Sequence, residues 1–249
     1  MRRIDTRTLS LTAAMAAIYT IFRLVPISKL IGISGTITAA GMIIPVIALL
    51  LEPEYGVLAV ILGTMIASLS PLNPLKFAGL DFLPGATNLL VVSLALRGKL
   101  AQAGAVLVGV IVLFSVTPNT MIFVNNIVSP PLPFFWLHLV ALVLLVSPLS
   151  MNSLQWLQSR NYTKVAAAIG VLAFAGTMTE HLVGGVLTGL FFGPGIVRIW
   201  HTVFFLYPIE RAVIVAGAIL VCTPLVLNTR AVRESIMRRA EKESIPITR

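Results

Sequence analysis

The chain reads as long apolar runs broken by short polar or Pro- and Gly-rich punctuation. The runs are Leu11 to Val25, Thr36 to Leu51, Val57 to Leu69, Ala86 to Leu96, Ala101 to Val116, Phe134 to Val146, Val165 to Phe192 and Pro208 to Leu227. None shows the strict apolar–polar alternation of a β-barrel strand, so each is read as a helix. EPEYG at Glu52 to Gly56 is short enough only for a hairpin turn, and Ser70 to Gly85 carries the Pro and Gly of an irregular loop. Arg97-Gly98-Lys99 closes the fourth run, and a polar, Pro-rich loop, TPNTMIFVNNIVSPPLP, divides the fifth from the sixth. Val165 to Phe192 would make a helix of about 42 Å, longer than the roughly 30 Å hydrocarbon core of a bilayer. The pattern predicts that it tilts or breaks, with Gly184-Gly185 the natural break. Pro208 suits the start of the last helix, where its missing N–H costs nothing.

Composition extends this reading. Hydrophobic residues make up 57% of the 249 and charged residues 11%, with a mean hydropathy of +0.98. A soluble domain carries about a quarter charged residues. The expected class is therefore all-α, a polytopic transmembrane helical bundle of six to eight membrane segments. Residues 1–229 form the transmembrane substrate-binding domain and 230–249 a basic cytoplasmic tail.

The net charge of +9 does not point to nucleic acid, because the basic residues gather at the two ends and in short loops. With the N-terminus inside and eight crossings, 13 of the 18 basic residues fall on the cytoplasmic side, and both termini are cytoplasmic. Arg23, Lys29, Lys76, Arg198 and Arg211 fall outside. The acidic Glu52/Glu54 hairpin is the exception to the charge rule, in which acidic residues count little. A multi-pass protein of the cell membrane is expected, with the lipid bilayer as its environment.

Ionisable residues at membrane depth are costly and face a cavity, a partner or a substrate. They concentrate between Phe174 and Val215: Glu180 and His181 are adjacent, and Arg198, His201, Glu210 and Arg211 follow. On this topology Glu180 lies in the outer half, and His138 about one turn in from the outer end of its run. Asn119, Asn125, Asn126, Trp136, Trp200 and Tyr207 lie at or near the outer face. A few polar groups among aromatic walls is how small-molecule sites are built. The candidate substrate site is therefore Glu180, His181, Arg198, Trp200, His201, Tyr207, Glu210, Arg211, Asn125, Trp136 and His138. Basic residues outnumber acidic ones on that side, which favours a ligand with a carboxylate or phosphate.

Each motif has a plainer reading beside the functional one. Glu180-His181 could be a proton relay, a metal pair, a ligand contact or a hydrogen-bonded structural pair. Glu210 would also suit the first turn of a helix beginning at Pro208. Arg211 could pair with Glu180 across helices or hold an anionic ligand group. Gly185, Gly189 and Gly193 suit internal packing or a kink. Ala13 and Ala17 form a small-residue face on the first helix, open to close approach by another helix, inside or outside this chain. The single Cys222 excludes an internal disulfide, and three scattered histidines without HExxH give no zinc spacing. There is no Walker A and no GxSxG motif. No metal, cofactor or catalytic residue is expected, and the protein is not read as an enzyme.

The alanine-rich first helix, IIPVIALLLEPEYGVLAVILGTMIAS, DFLPGATNLLVVSLALRGK, TMTEHLVGG and FFLYPIERAVIVAGAILVCTPL together resemble the substrate-binding S components of energy-coupling factor (ECF) transporters. The resemblance implies a subunit that captures a vitamin-like micronutrient from outside. It would then dock on a transmembrane coupling protein driven by ABC ATPases. It implies that Ala13 and Ala17 contact that coupling protein. The usual core of the family has six helices, against the eight runs counted here. A stand-alone proton-coupled transporter with Glu180 as proton carrier is the alternative, and a membrane-embedded enzyme using Glu180 and His181 a third reading.

Overall fold

The computed structural model describes residues 6–29, 36–124 and 130–243, with side chains to residue 238. Eleven helices fill them, and the only strands among them are two short hairpins. The fold is all-α. The helices are α1 (Thr6–Leu24), α2 (Ile44–Leu50), α3 (Pro53–Ser68), α4 (Leu83–Ala95), α5 (Leu100–Val116), α6 (Trp136–Val146), α7 (Pro148–Met151), α8 (Ser153–Gln158), α9 (Tyr162–Phe191), α10 (Trp200–Asn228) and α11 (Arg230–Glu243).

Central α9 is packed on by α4, α5, α6, α8 and α10, and α1 lies on α3. The α1–α3 contact is close because Gly63 has no side chain: a Cβ there would stand 2.8 Å from the Ala16 carbonyl oxygen. Thr20 uses that approach, donating from Oγ1 to the Gly63 carbonyl at 3.2 Å.

Two helices are long and apolar enough to cross a bilayer, Tyr162–Phe191 and the continuous stretch Pro194–Asn228; four further apolar helices have 10–17 residues. The second apolar run is not one helix. Thr36–Thr38 pairs as strand β2 with β1 (Pro26–Lys29), a 3-10 turn spans Ala39–Met42, and only Ile44–Leu50 is α-helical. Gly41 and Pro45 in that run weaken a continuous helix. The fourth run is longer than Ala86 to Leu96, since a 3-10 turn at Leu80–Phe82 leads into α4, which begins at Leu83.

Of the two alternatives for the long helix at Val165 to Phe192, tilt or break, the break is removed, and the expected helix start at Pro208 fails. The expected break at Gly184-Gly185 is absent, and α9 passes through both residues unbroken. Pro208 does not begin a helix but lies inside α10, with Pro224 further along. Glu210 is therefore a mid-helix residue, and helix-start chemistry does not explain it. Two glycines of the repeat are used in packing, with a Cβ at Gly185 within 2.9 Å of the Phe114 ring and one at Gly189 within 2.6 Å of the Pro118 carbonyl oxygen, whereas a Cβ at Gly193 would meet nothing within 4 Å.

The loops sort into two ends. At one, Arg23 donates to the Asp81 carbonyl at 3.2 Å, Asn119 donates through Nδ2 to the Gly189 carbonyl at 3.0 Å, and Phe77 packs edge-on against Phe191 and Phe192. At the other, Arg97 pairs with Glu52, which neutralises part of the acidic hairpin. There α11 turns back under the bundle, burying Val232 and Ile236, and Ser235 donates to the Leu49 carbonyl at 2.6 Å.

Candidate functional site

A cavity of about 170 Å³ opens at the first of these ends. Its inner wall comes from α9 and α10. Along α10 the lining residues are Trp200, Val203, Leu206, Glu210, Arg211 and Ile214. Their spacing of three, four and seven marks one helical face. Along α9 they are Glu180, His181, Gly184, Gly185 and Thr188. The β1–β2 hairpin contributes Lys29, Thr36, Ile37 and Thr38, and the loop before α4 contributes Lys76, Phe77 and Asp81, with Arg23 beside them.

Polar groups converge here from distant parts of the chain. Asn88 Nδ2 donates to Glu180 Oε2 at 2.6 Å. Ser28 of β1 donates to the Glu210 carboxylate, tying the hairpin to α10. Arg211 is 4% exposed and donates from one terminal guanidinium nitrogen to Thr177 Oγ1 at 3.1 Å, while its Nε has no partner. Of the two alternatives for Arg211, the ion pair with Glu180 is not formed: among the described residues the ion pairs are Arg97–Glu52 and Arg230–Glu234.

Asp81 is occupied by the loop, accepting from the backbone N–H groups of Lys76 at 2.9 Å and Phe77 at 3.0 Å. Lys76 reaches Asn73 Oδ1 at 3.2 Å. Burial and the nearby Arg23 charge hold its ammonium below the ordinary lysine range, only partly opposed by Asp81.

An aromatic wall stands behind the cavity. His181 stacks on Tyr207 with ring centres 4.6 Å apart, and on the fully buried His138 at 5.3 Å. His181 Nδ1 and His138 Nε2 are 3.2 Å apart, so one of the two nitrogens carries the shared proton. Tyr207 donates to the Phe134 carbonyl at 3.1 Å. Trp200 sets its edge against Phe114 and Phe134 and donates Nε1–H to the Asn119 carbonyl at 2.6 Å. His181 and Trp200 touch the cavity, and His138 and Tyr207 support them from behind.

The expected residues thus separate. Glu180, His181, Trp200, Glu210 and Arg211 line one space. His138 and Tyr207 brace it. Trp136, Arg198 and His201 do not line it, and Arg198 is exposed. Asn125 lies outside the described residues. Asn88, Thr177 and Asp81 were not singled out from sequence, Arg23 and Lys76 were noted only as outer-side charges, and Gly184 only as a possible helix break. A lone amide inside an apolar run was the available signal for Asn88. Among the described residues no group of three or more His, Cys, Asp and Glu side chains could hold a metal ion. Comparison of the chain with models of known protein families, with curated proteins and with solved structures found no match.

Proposed function

We propose that this chain is the membrane-embedded solute-capture subunit of an importer of the ECF type, a multi-pass bundle with both termini in the cytoplasm. It takes a vitamin-like micronutrient from the outer side. It passes the solute on through a separate transmembrane coupling protein and its ABC ATPases, with no catalysis of its own.

The observation that carries the reading is the cavity: charged and aromatic groups from five parts of an apolar helical bundle meet in one small space at one end. A second observation gives its direction. Five basic residues depart from the positive-inside pattern, and Arg23, Lys29, Lys76 and Arg211, four of them, line the cavity. A solute site accounts for these exceptions better than loop topology does. A third concerns the partner. Ala13 and Ala17 are exposed on α1, whereas Ala16 is spent on the contact with α3. That leaves a small-residue face free for an outside helix.

The test is affinity purification from mild detergent with identification of what co-purifies. Recovery of a helical coupling protein together with P-loop ATPases supports the proposal. Uptake by the purified chain alone in proteoliposomes, driven by a pH gradient and lost in Glu180→Gln, overturns it in favour of a proton-coupled transporter.

A further inference from the structure

We infer that the solute carries an oxyanion, a carboxylate or a phosphate, and that the Arg211 guanidinium receives it. This rests on reading the cavity as a solute site. A guanidinium presents five N–H donors in a planar fork suited to a pair of oxygens. Arg211 is 4% exposed, lines the cavity, and has only the neutral hydroxyl of Thr177 as a side-chain acceptor; its Nε is unpartnered. The two nearest carboxylates are engaged by neutral donors instead, Glu180 by Asn88 and Glu210 by Ser28. Those carboxylates offset the charge of Arg211 from beyond ion-pair distance but take none of its N–H groups, and a buried donor left unpaired is costly and is satisfied by a partner or a ligand.

The remaining lining agrees in sign. It holds four cationic side chains against three carboxylates. Both oxygens of one of those, Asp81, already accept backbone N–H groups. The unmet capacity at the base of the cavity is that of N–H donors, which calls for acceptor oxygens, and the excess of cations over carboxylates in the lining calls for a negative charge on them. The space for the rest of the solute is set by Gly184: a Cβ there would meet no atom within 4 Å, and the residue lines the cavity between His181 and Thr188. With Trp200 and His181 beside it, this leaves a slot for a flat group.

The test uses the purified full chain in detergent and four probes that share one ring: benzoate, phenyl phosphate, benzamide and benzylamine. Binding is read by thermal shift and by Trp200 fluorescence in a Trp136→Phe/Trp156→Phe background. The inference expects benzoate or phenyl phosphate to bind about tenfold or more tightly than benzamide and benzylamine. Which of the two wins tells a carboxylate from a phosphate. Binding should be lost in Arg211→Met and partly kept in Arg211→Lys. Gly184→Leu should fill the slot and abolish binding while the chain still folds, which guards against Arg211→Met failing to fold. Preference for the amide or amine, or full oxyanion affinity in a folded Arg211→Met, overturns the oxyanion assignment and leaves the cavity reading standing. Binding of none of the four, or binding that Gly184→Leu leaves intact, overturns both.

Discussion

Asn88 and Glu180 join α4 to α9 through a single hydrogen bond, Nδ2 to Oε2 at 2.6 Å, at the edge of the cavity. Asn88 is 1% exposed, and its Oδ1 has no hydrogen-bond partner. The amide is therefore committed to one task, giving a proton to a carboxylate that has no ion pair. A hydrogen bond to a charged group contributes about 1.5–3 kcal/mol. Asn88→Ala should lower stability by about 2 kcal/mol. Asn88→Asp should cost more, because it sets a second carboxylate against Glu180. Equilibrium unfolding in mixed micelles gives both numbers. Asn88→Asp matching the wild type would mean that Glu180 is protonated and the bond runs the other way.

Two glycines of α9 should respond in opposite directions to the same substitution. At Gly176 a Cβ would run into the Asn88 amide oxygen and stand 2.8 Å from Val92 Cγ2, so α4 would have to move. Gly176→Ala should cost about 1–3 kcal/mol, the usual penalty of overpacking. At Gly184 a Cβ meets nothing within 4 Å, and the helix is unbroken there. Gly184→Ala should stabilise by up to about 1 kcal/mol through helix propensity alone. Thermal melts of the pair are sufficient, and a loss of stability in Gly184→Ala would contradict the open wall.

The sequence signal for this site was one of charge against an apolar background, and it reached as far as charge goes. Glu180, Glu210 and Arg211 stand out in that background and do meet. His201 and Arg198 stand out equally but are turned away. Each residue on a helix is rotated by about 100° from the last, so His201 leaves the face that Trp200, Val203 and Ile214 share. Nearness in sequence suggested a cluster that helical phase divides. Asn88 and Gly184 carry no charge, so Asn88 was passed over and Gly184 was read only as a possible break. Long uniform hydropathy made α9 and α10 readable, yet it could not show that α10 runs straight through Pro208. The Thr36 to Leu51 run was misread because its pairing partner, β1, lies ten residues upstream of Thr36 at Pro26. Cross-strand pairing of this kind leaves no mark on hydropathy.

Lys76 gives the site a pH dependence. Its ammonium is held below the ordinary range, first by burial, then by Arg23. The unfolded chain then binds the proton more tightly than the folded one, so between the lowered folded value and about 10.5 stability rises with pH. Below that window the charged form is carried at a cost to the fold. Lys76→Met should therefore be more stable than the wild type at pH 7, with the difference shrinking as pH approaches 10.5. Melting curves at pH 7, 9 and 10 check the sign. A wild-type advantage at pH 7 would show instead that the Asn73 and Asp81 contacts outweigh the burial.

The exposed face of α1 separates stability from delivery. Thr12, Met15, Ala16 and Tyr19 are buried, whereas Ala13 and Ala17 lie on the outward side. No packing within the chain depends on those two methyl groups, so Ala13→Leu/Ala17→Leu should change stability by no more than about 0.5 kcal/mol. If α1 is where a coupling helix comes close, the added bulk removes that approach and solute accumulation in cells falls to background. Probe binding by the purified double variant stays at the wild-type level, because α1 reaches the cavity only through Arg23, six residues beyond Ala17. Measuring melting temperature, probe binding and cellular uptake on the same variant separates the possibilities. Uptake preserved at the wild-type level would remove α1 as the docking face. Loss of uptake together with loss of probe binding would place the damage in the fold and not at a partner.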